Sequence, residues 1–239
     1  METQERMRSE RLIVLGDIAA KIGKISLGHP LRIAIDGRTA AGKTTLSDEF
    51  AALIDGRGQP VIRASIDGFH RPKVERYARG RYSAEGYYYD ARDHAAIMHL
   101  LLVPLGPSSS RLYRTTSFDL EKDEPVVQEP LCAPEDAVLI VDGTFLQRPE
   151  LRDGWDLTIF VKTSAEIAEL RAVGRDAARS GVPDATRKLY VERYRAAFEL
   201  YEGLCAPEDI ADVVFTNDDW ERPSVLIREG SLLAIPAPN

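Results

Sequence analysis

The 239-residue chain is 44% hydrophobic, enough to bury a substantial core as one large domain or two small ones. A net charge of −7, from 31 basic and 38 acidic side chains without a lysine/arginine block, argues against a nucleic-acid partner. Four histidines, two cysteines (Cys132 and Cys205), a charged start at Met1–Arg6 and no apolar run near the ~18 residues of a span disfavour a zinc site, a disulfide framework, a secretory signal and a membrane segment, and point to the cytoplasm.

Residues 9–26 carry Leu12, Leu15, Ile18, Ala19, Ile22 and Ile25 at spacings of three and four. This predicts an amphipathic helix within residues 1–30, packed on a core formed by residues 31–239. Leu31–Ile35 reads as a short buried strand, and 44–53, with Leu46, Phe50 and Leu53, as a helix. Between them, Gly37-Arg38-Thr39-Ala40-Ala41-Gly42-Lys43-Thr44-Thr45 matches G-x-x-x-x-G-K-[ST]. In such a loop backbone N–H groups cradle phosphates, the lysine reaches the β/γ-phosphates and the hydroxyl binds Mg²⁺. The flanking strand and helix aim those donors and a helix N-terminus at the anion.

Pro60–Ile66 reads as a second strand running into Ser65-Ile66-Asp67-Gly68-Phe69-His70, which puts Asp67 at a carboxyl end beside the phosphate loop. A carboxylate there can take the proton of an attacking hydroxyl or hold Mg²⁺; the plainer reading is a loop aspartate before a turn glycine. Residues 70–90 combine Arg71, Lys73, Arg76, Arg79 and Arg81 with Tyr77, Tyr82, Tyr87, Tyr88 and Tyr89, which suits a polar or anionic acceptor. Residues 91–103 read as a helix, and Leu112–Asp119 with Pro125–Glu129 as a hairpin.

Ala137–Val141 is a continuous apolar run, as a strand buried on both faces should be. It ends in Asp142, either a solvated strand-end acid or the carboxylate that holds Mg²⁺ opposite the loop hydroxyl. Another strand spans Leu157–Val161, and helical patterns fill 164–179 and 184–204. On the first helix Arg171, Arg175 and Arg179 sit four apart, a repulsive spacing that a bound triphosphate would relieve, unless the face is simply solvated. On the second, Tyr190, Tyr194, Ala197, Tyr201 and Leu204 form one packing stripe. Val213–Phe215 closes the set of strands. The hexapeptide Leu-Cys-Ala-Pro-Glu-Asp occurs at 131–136 and at 204–209, each time before a strand, and suggests similar loop entries. Strands alternating with helices predict a parallel sheet with ligands at its carboxyl ends.

Together, Gly37–Thr45, the Ser65–His70 turn, Val141-Asp142-Gly143, Arg175-Asp176 and Ala211-Asp212-Val213-Val214 resemble the uridine kinase, phosphoribulokinase and pantothenate kinase family, over roughly Leu31 to Asn217. The resemblance implies an α/β fold of the P-loop NTPase type: three α/β/α layers around a mostly parallel sheet, a lid helix within about 164–184, and acceptor loops at about 68–92 and 106–130. It implies ATP-dependent phosphorylation of a hydroxyl on a small, nucleoside-like acceptor with Mg²⁺. Under it Gly37 to Thr45, Arg171, Arg175 and Asn217 bind nucleotide, and Thr44, Asp67 and Asp142 bind metal. Lys43, Asp67 and Arg175 are the catalytic candidates. His70, Arg81, Tyr88, Asp90, Phe118 and Arg179 are the acceptor candidates.

Where uridine kinases carry an Asp-His-Pro turn for the ribose, this chain has Tyr87-Tyr88-Tyr89-Asp90; where they read the base with Tyr-Asp and a histidine, it has Phe118-Asp119 and Asp123. Sugar, phosphosugar and pantothenate-like acceptors therefore stay open, as does an ATPase or GTPase switch without an acceptor. No Asn-Lys-x-Asp guanine-reading pattern occurs in the chain. Neither nucleic acid nor membrane is an expected partner, and self-association is compatible with the sequence.

Overall fold

The computed structural model describes the backbone of residues 2–180 and 183–234, and the side chains of 10–176 and 184–234. Six strands form the central sheet: β1 Leu31–Gly37, β2 Val61–Ser65, β3 Val138–Gly143, β4 Leu157–Lys162, β5 Val213–Thr216 and β6 Ser224–Ile227. Their order is β6-β5-β4-β1-β3-β2, and every pair is parallel except β5 with β6. β3 therefore lies between β1 and β2, so Asp67 reaches the phosphate loop across Asp142's strand rather than from the neighbouring one. The antiparallel edge strand β6 has no counterpart among the sequence expectations.

Helices cover both faces. On one, α1 (Glu2–Ile22) and α2 (Lys43–Asp55) bury Leu15, Ile18, Ile22, Leu46, Phe50 and Ile54 against Ile33, Ile35, Ile140 and Ile159. Each such side chain contributes about 1.5–3 kcal/mol when fully buried, so α1 belongs to the core. The apolar stripe is narrower than its spacing suggests. Leu12 is exposed, and the fully buried Arg11 takes the place beside it. On the other face Leu139 and Val141 pack under Leu101, Leu102 and Leu105, while a ring cluster of Tyr88, Phe145, Phe160, Phe198 and Tyr201 fills the space below helix α4 (Ala196–Cys205), which follows α3 (Ala165–Ser180) in the chain.

The expected helix at 91–103 begins at His94, where the Asp93 side chain caps the Ala96 N–H at 2.9 Å, and continues through a π-helical turn to Leu105. The expected hairpin is reduced to two-residue ladders. Leu112–Tyr113 pairs with Leu131–Cys132, and Phe118–Asp119 with Glu124–Pro125; 126–129 pairs with no strand. The two hexapeptide copies differ: one forms a strand end and loop, the other ends α4, turns at Ala206 (φ 44) and enters a short helix at Pro207–Ile210. Tertiary surroundings override a shared local sequence. The stripe on the last long helix runs Tyr190, Ala197, Tyr201 and then Cys205; Leu204 is exposed.

Candidate active site

The carboxyl ends of β1, β2 and β3 open into a cavity of about 450 Å³. On its nucleotide side, β1 passes into the phosphate loop and α2 starts at Lys43. Gly42 caps this helix with φ 94, in the left-handed region that a glycine adopts without strain. A Cβ at that position would come within 2.6 Å of Asn217 Nδ2. Thr39, Ala40, Gly42, Lys43, Thr44 and Thr45 line the cavity. Gly37 and Ala41 lie behind it, and the Arg38 guanidinium turns away to Glu202 (3.2 Å) and the Phe198 ring (4.7 Å to its centre).

Lys43 Nζ donates to the Arg38 carbonyl at 2.8 Å. Burial pulls its pKa down to about 8, against Asp36, Asp142 and Asp67, which favour the charged ammonium. Asp36 ends β1 fully buried and accepts from Tyr201 Oη (2.5 Å), Gln147 Nε2 (3.2 Å) and the Gly37 N–H (2.8 Å). Asn217, expected beside a bound base, instead braces the loop from behind. Its Nδ2 donates to the Ala41 carbonyl at 2.7 Å and its Oδ1 accepts from Arg11.

Thr44 Oγ1 donates to Asp142 Oδ2 at 2.7 Å, while Asp142 Oδ1 accepts from Arg63 at 3.0 Å. A hydroxyl and a carboxylate at one point beside a phosphate loop are the hard oxygen donors Mg²⁺ takes, with waters and phosphate oxygens completing its shell. No cluster of three His, Cys, Asp or Glu suited to a metal occurs among the described residues. That donor set fits an ion carried in with a nucleotide, not a protein-built cage.

Asp67 lines the same cavity as Lys43, and its side chain is 62% exposed. Its Oδ1 accepts from Arg92 Nη2 at 2.6 Å and lies 3.5 Å from His70 Nε2. The cleft walls partly desolvate this exposed carboxyl, which would raise its pKa, but Arg92, His70 and Lys43 outweigh that and hold it well below the ordinary carboxylate range. His70 is buried, with Nδ1 3.0 Å from both the Ala91 carbonyl and Arg92 Nη1, and burial lowers its pKa. The tautomer that accepts from Arg92 at Nδ1 presents Nε2–H to Asp67.

Of the three arginines spaced along α3, Arg171 and Arg175 line the cavity. Arg171 Nη2 donates to the Asn217 and Asp218 carbonyls (2.9 and 3.0 Å), and Arg175 pairs with Asp176 at 2.7 Å. The Arg179 side chain lies outside the described residues. Among the acceptor candidates whose side chains are described, only His70 faces the cavity. Tyr88 is 3% exposed inside the ring cluster, Asp90 pairs with Arg79 at 2.7 Å, and Phe118 is buried beneath the Arg76 guanidinium. Arg81 lines a separate depression with Tyr82 and Tyr190. These four are corrections. Packing and local ion pairs use the side chains that spacing alone assigned to a ligand.

Their places in the cavity are taken by Arg76, Tyr77, Tyr87, Arg92, Leu120 and Arg193. Arg76, Tyr77 and Tyr87 stood in the basic, tyrosine-rich segment without being distinguishable from their neighbours. Arg92 and Arg193 were missed. Arg92 sits just beyond that segment, and Arg193 lies on the π-helical turn Tyr190–Arg195, within a stripe read as packing.

The phosphoribulokinase/uridine kinase family model matches residues 32–216. A uridine kinase from Alkaliphilus metalliredigens is 24% identical over 156 residues, 65% of this chain and 72% of that protein. Uridine-cytidine kinase B from Dictyostelium discoideum is 28% identical over 156 residues, 64% of this chain and 61% of its own length. Among solved structures, a possible uridine kinase from Bacillus stearothermophilus superposes with a TM-score of 0.66 at 24% identity, covering 90% of this chain and 99% of that one. D-glycerate 3-kinase from Cryptococcus neoformans superposes at 0.59 and 12% identity, covering 91% and 99%. Match and fold agree: the chain belongs to the phosphoribulokinase/uridine kinase family of P-loop kinases, phosphotransferases with a hydroxyl acceptor.

Proposed function

We propose that the chain transfers the γ-phosphoryl group of ATP to a hydroxyl of a small metabolite held between Asp67 and the arginines at the far end of the cleft. The observation that carries this reading is the meeting of Lys43, Thr44, Asp67 and Asp142 around one cavity at the carboxyl ends of three strands. Such a cleft performs phosphoryl transfer mainly by positioning and charge stabilisation. The acceptor oxygen forms a bond to the γ-phosphorus as the bond to the bridging β–γ oxygen breaks, and ADP leaves. Lys43 sits where it can follow charge on the transferring group, and Arg171 and Arg175 sit where they can cover it. Thr44 and Asp142 are the groups that would hold Mg²⁺, which when bound neutralises phosphate charge.

Asp67 stays ionised under all ordinary conditions because of Arg92, so its part is to accept a hydrogen bond from the hydroxyl and aim its lone pair, taking the proton late. A nucleoside-like acceptor draws its support from the uridine kinases among the relatives. The cleft itself lends it less, since Tyr88, Asp90 and Phe118 are committed elsewhere. ATP consumption measured with and without a panel of nucleosides, sugars, sugar phosphates and hydroxy acids tests the reading. Strong acceptor dependence is expected. Hydrolysis that ignores every acceptor would favour a nucleotide switch instead.

A further inference from the structure

Beyond the phosphate loop, the cavity holds three guanidiniums interleaved with two rings. The Arg76 carbon Cζ lies 5.7 Å from the Tyr77 ring centre and that of Arg193 lies 4.9 Å from it. Arg193 is also 5.1 Å from the Tyr87 ring, with Arg92 5.6 Å from that same ring. The series Arg76, Tyr77, Arg193, Tyr87, Arg92 ends on Asp67 through the 2.6 Å ion pair. All three arginines are nine-tenths or more buried. Arg92 acts on both Asp67 and His70, and Arg76 on His70, whereas Lys43 feels Arg175 of α3.

Their charges are incompletely answered. Arg92 is paired with Asp67, and Arg76 with Asp123 at 2.8 Å, but Arg76 Nη1 is buried without a hydrogen-bond partner among the described residues. Arg193 is 3% exposed, and among the described residues its Nη1 donates only to the carbonyls of Arg81 (2.9 Å) and Ser83 (3.4 Å). No carboxylate among the described residues lies within ion-pair distance of it. A buried guanidinium without a counter-ion is unfavourable, and an unmade hydrogen bond on a second one adds to that. Tyrosine faces attract a cation but do not neutralise it.

We propose that Arg193, Arg76 and Arg92 form an anion subsite, so that the acceptor carries a carboxylate or a phosphate monoester close to the hydroxyl that Asp67 orients. This rests on the kinase reading of the cleft. Planar forks suit both oxyanions bidentately, and the ion would supply the missing counter-charge at Arg193 and the missing acceptor at Arg76. Neutral nucleosides and sugars would leave both unmet.

The first test uses inorganic phosphate, with the phosphate loop already filled by the magnesium complex of a non-hydrolysable ATP analogue. Calorimetry should then show phosphate binding to the loaded wild type, weakened about 10- to 100-fold in Arg193→Gln. Arg193→Lys keeps the charge and should retain most of it, and unchanged analogue binding in both variants reports an intact fold. Absence of phosphate binding to the loaded protein, or equal binding by Arg193→Gln, overturns the subsite. The second test compares glycerol 3-phosphate and glycerate with glycerol as acceptors, which separates phosphate from carboxylate. Either anion should exceed glycerol, and the excess should vanish in Arg193→Gln. Glycerol phosphorylated as well as or better than both anions by the wild type, or an anionic excess that persists in Arg193→Gln, would sink the subsite and leave the kinase standing. Phosphate binding as expected, with no acceptor consumed, would leave the subsite and remove the kinase reading.

Discussion

The two sides of the cleft are assembled in different ways. On the nucleotide side a single uninterrupted stretch, Gly37 to Thr45, supplies the loop, the ammonium and the hydroxyl, and most of its work is done by backbone geometry between a strand and a helix. On the proposed acceptor side, Asp67, Arg76, Arg92 and Arg193 come from separate segments, and Arg193 closes on a carbonyl 112 positions away. Backbone donors tolerate drift in the surrounding sequence because every residue carries one. Side-chain constellations do not, since each member is a specific residue held by specific neighbours.

Substitution at the seam between the two sides should have the largest effect. Asp67→Asn removes the oriented charge, and single-turnover measurement should show a fall of about 10²–10⁴ in the chemical step with ATP-analogue affinity kept. Unchanged turnover would detach Asp67 from the reaction and leave the nucleotide side alone responsible.

Lys43→Ala should cost about 10²–10³ in transfer and weaken triphosphate binding, measured by the same assay with analogue titration. Its pH dependence sharpens the point. The ammonium is needed, and in the free protein its pKa is about 8, so kcat/KM for ATP should fall as pH rises through that value. The triphosphate favours the charged form, so the corresponding limb of kcat should lie at higher pH. Coincident limbs would show that Lys43 does not face the nucleotide.

A smaller loss is expected at Asn217, the brace behind the loop. Asn217→Ala deletes a buried 2.7 Å hydrogen bond and leaves the Ala41 carbonyl and Arg11 short of a partner. Denaturant melts should show a loss of about 1–3 kcal/mol with KM for ATP raised. A lower KM would contradict the bracing role. Least affected should be Arg81→Ala, which faces the neighbouring depression and should alter kcat/KM for any acceptor by less than about twofold. A large effect there would mean that the acceptor wall extends beyond the arginine and tyrosine series.

The same contrast explains what could be read in the sequence. Continuous apolar runs ending in Asp142 and in the glycine loop gave away β1, β3 and the phosphate side, because burial on both faces leaves no room for polar residues. Asp67 was legible for a similar reason, standing at a strand end before a glycine. Arg193 was not. It lies one residue from Tyr194 on a helix whose tyrosines do pack, and only the π-helical turn and the approach of 77 and 87 show that this face also opens to the cleft. Tyr88 failed in the opposite sense. Its neighbour Tyr87 faces the cavity while Tyr88 enters the ring cluster, a choice that helical geometry makes and a run of three identical residues conceals. Edge strand β6 went unseen because its residues alternate between exposed and half-buried, without the apolar continuity of the central strands.

Arg11 has a practical consequence for anyone trimming the protein. It stands twenty-one positions ahead of the matched segment 32–216, yet it binds Glu49 of α2 at 2.6 Å, Asn217 at 3.2 Å and the Trp220 carbonyl at 3.0 Å. A fragment cut to the matched borders would lose this clamp together with Leu15, Ile18 and Ile22, baring an oily flank on α2 and loosening the loop's rear anchor. The stretch that families share by descent is thus shorter than the stretch that must be expressed to obtain a working nucleotide pocket.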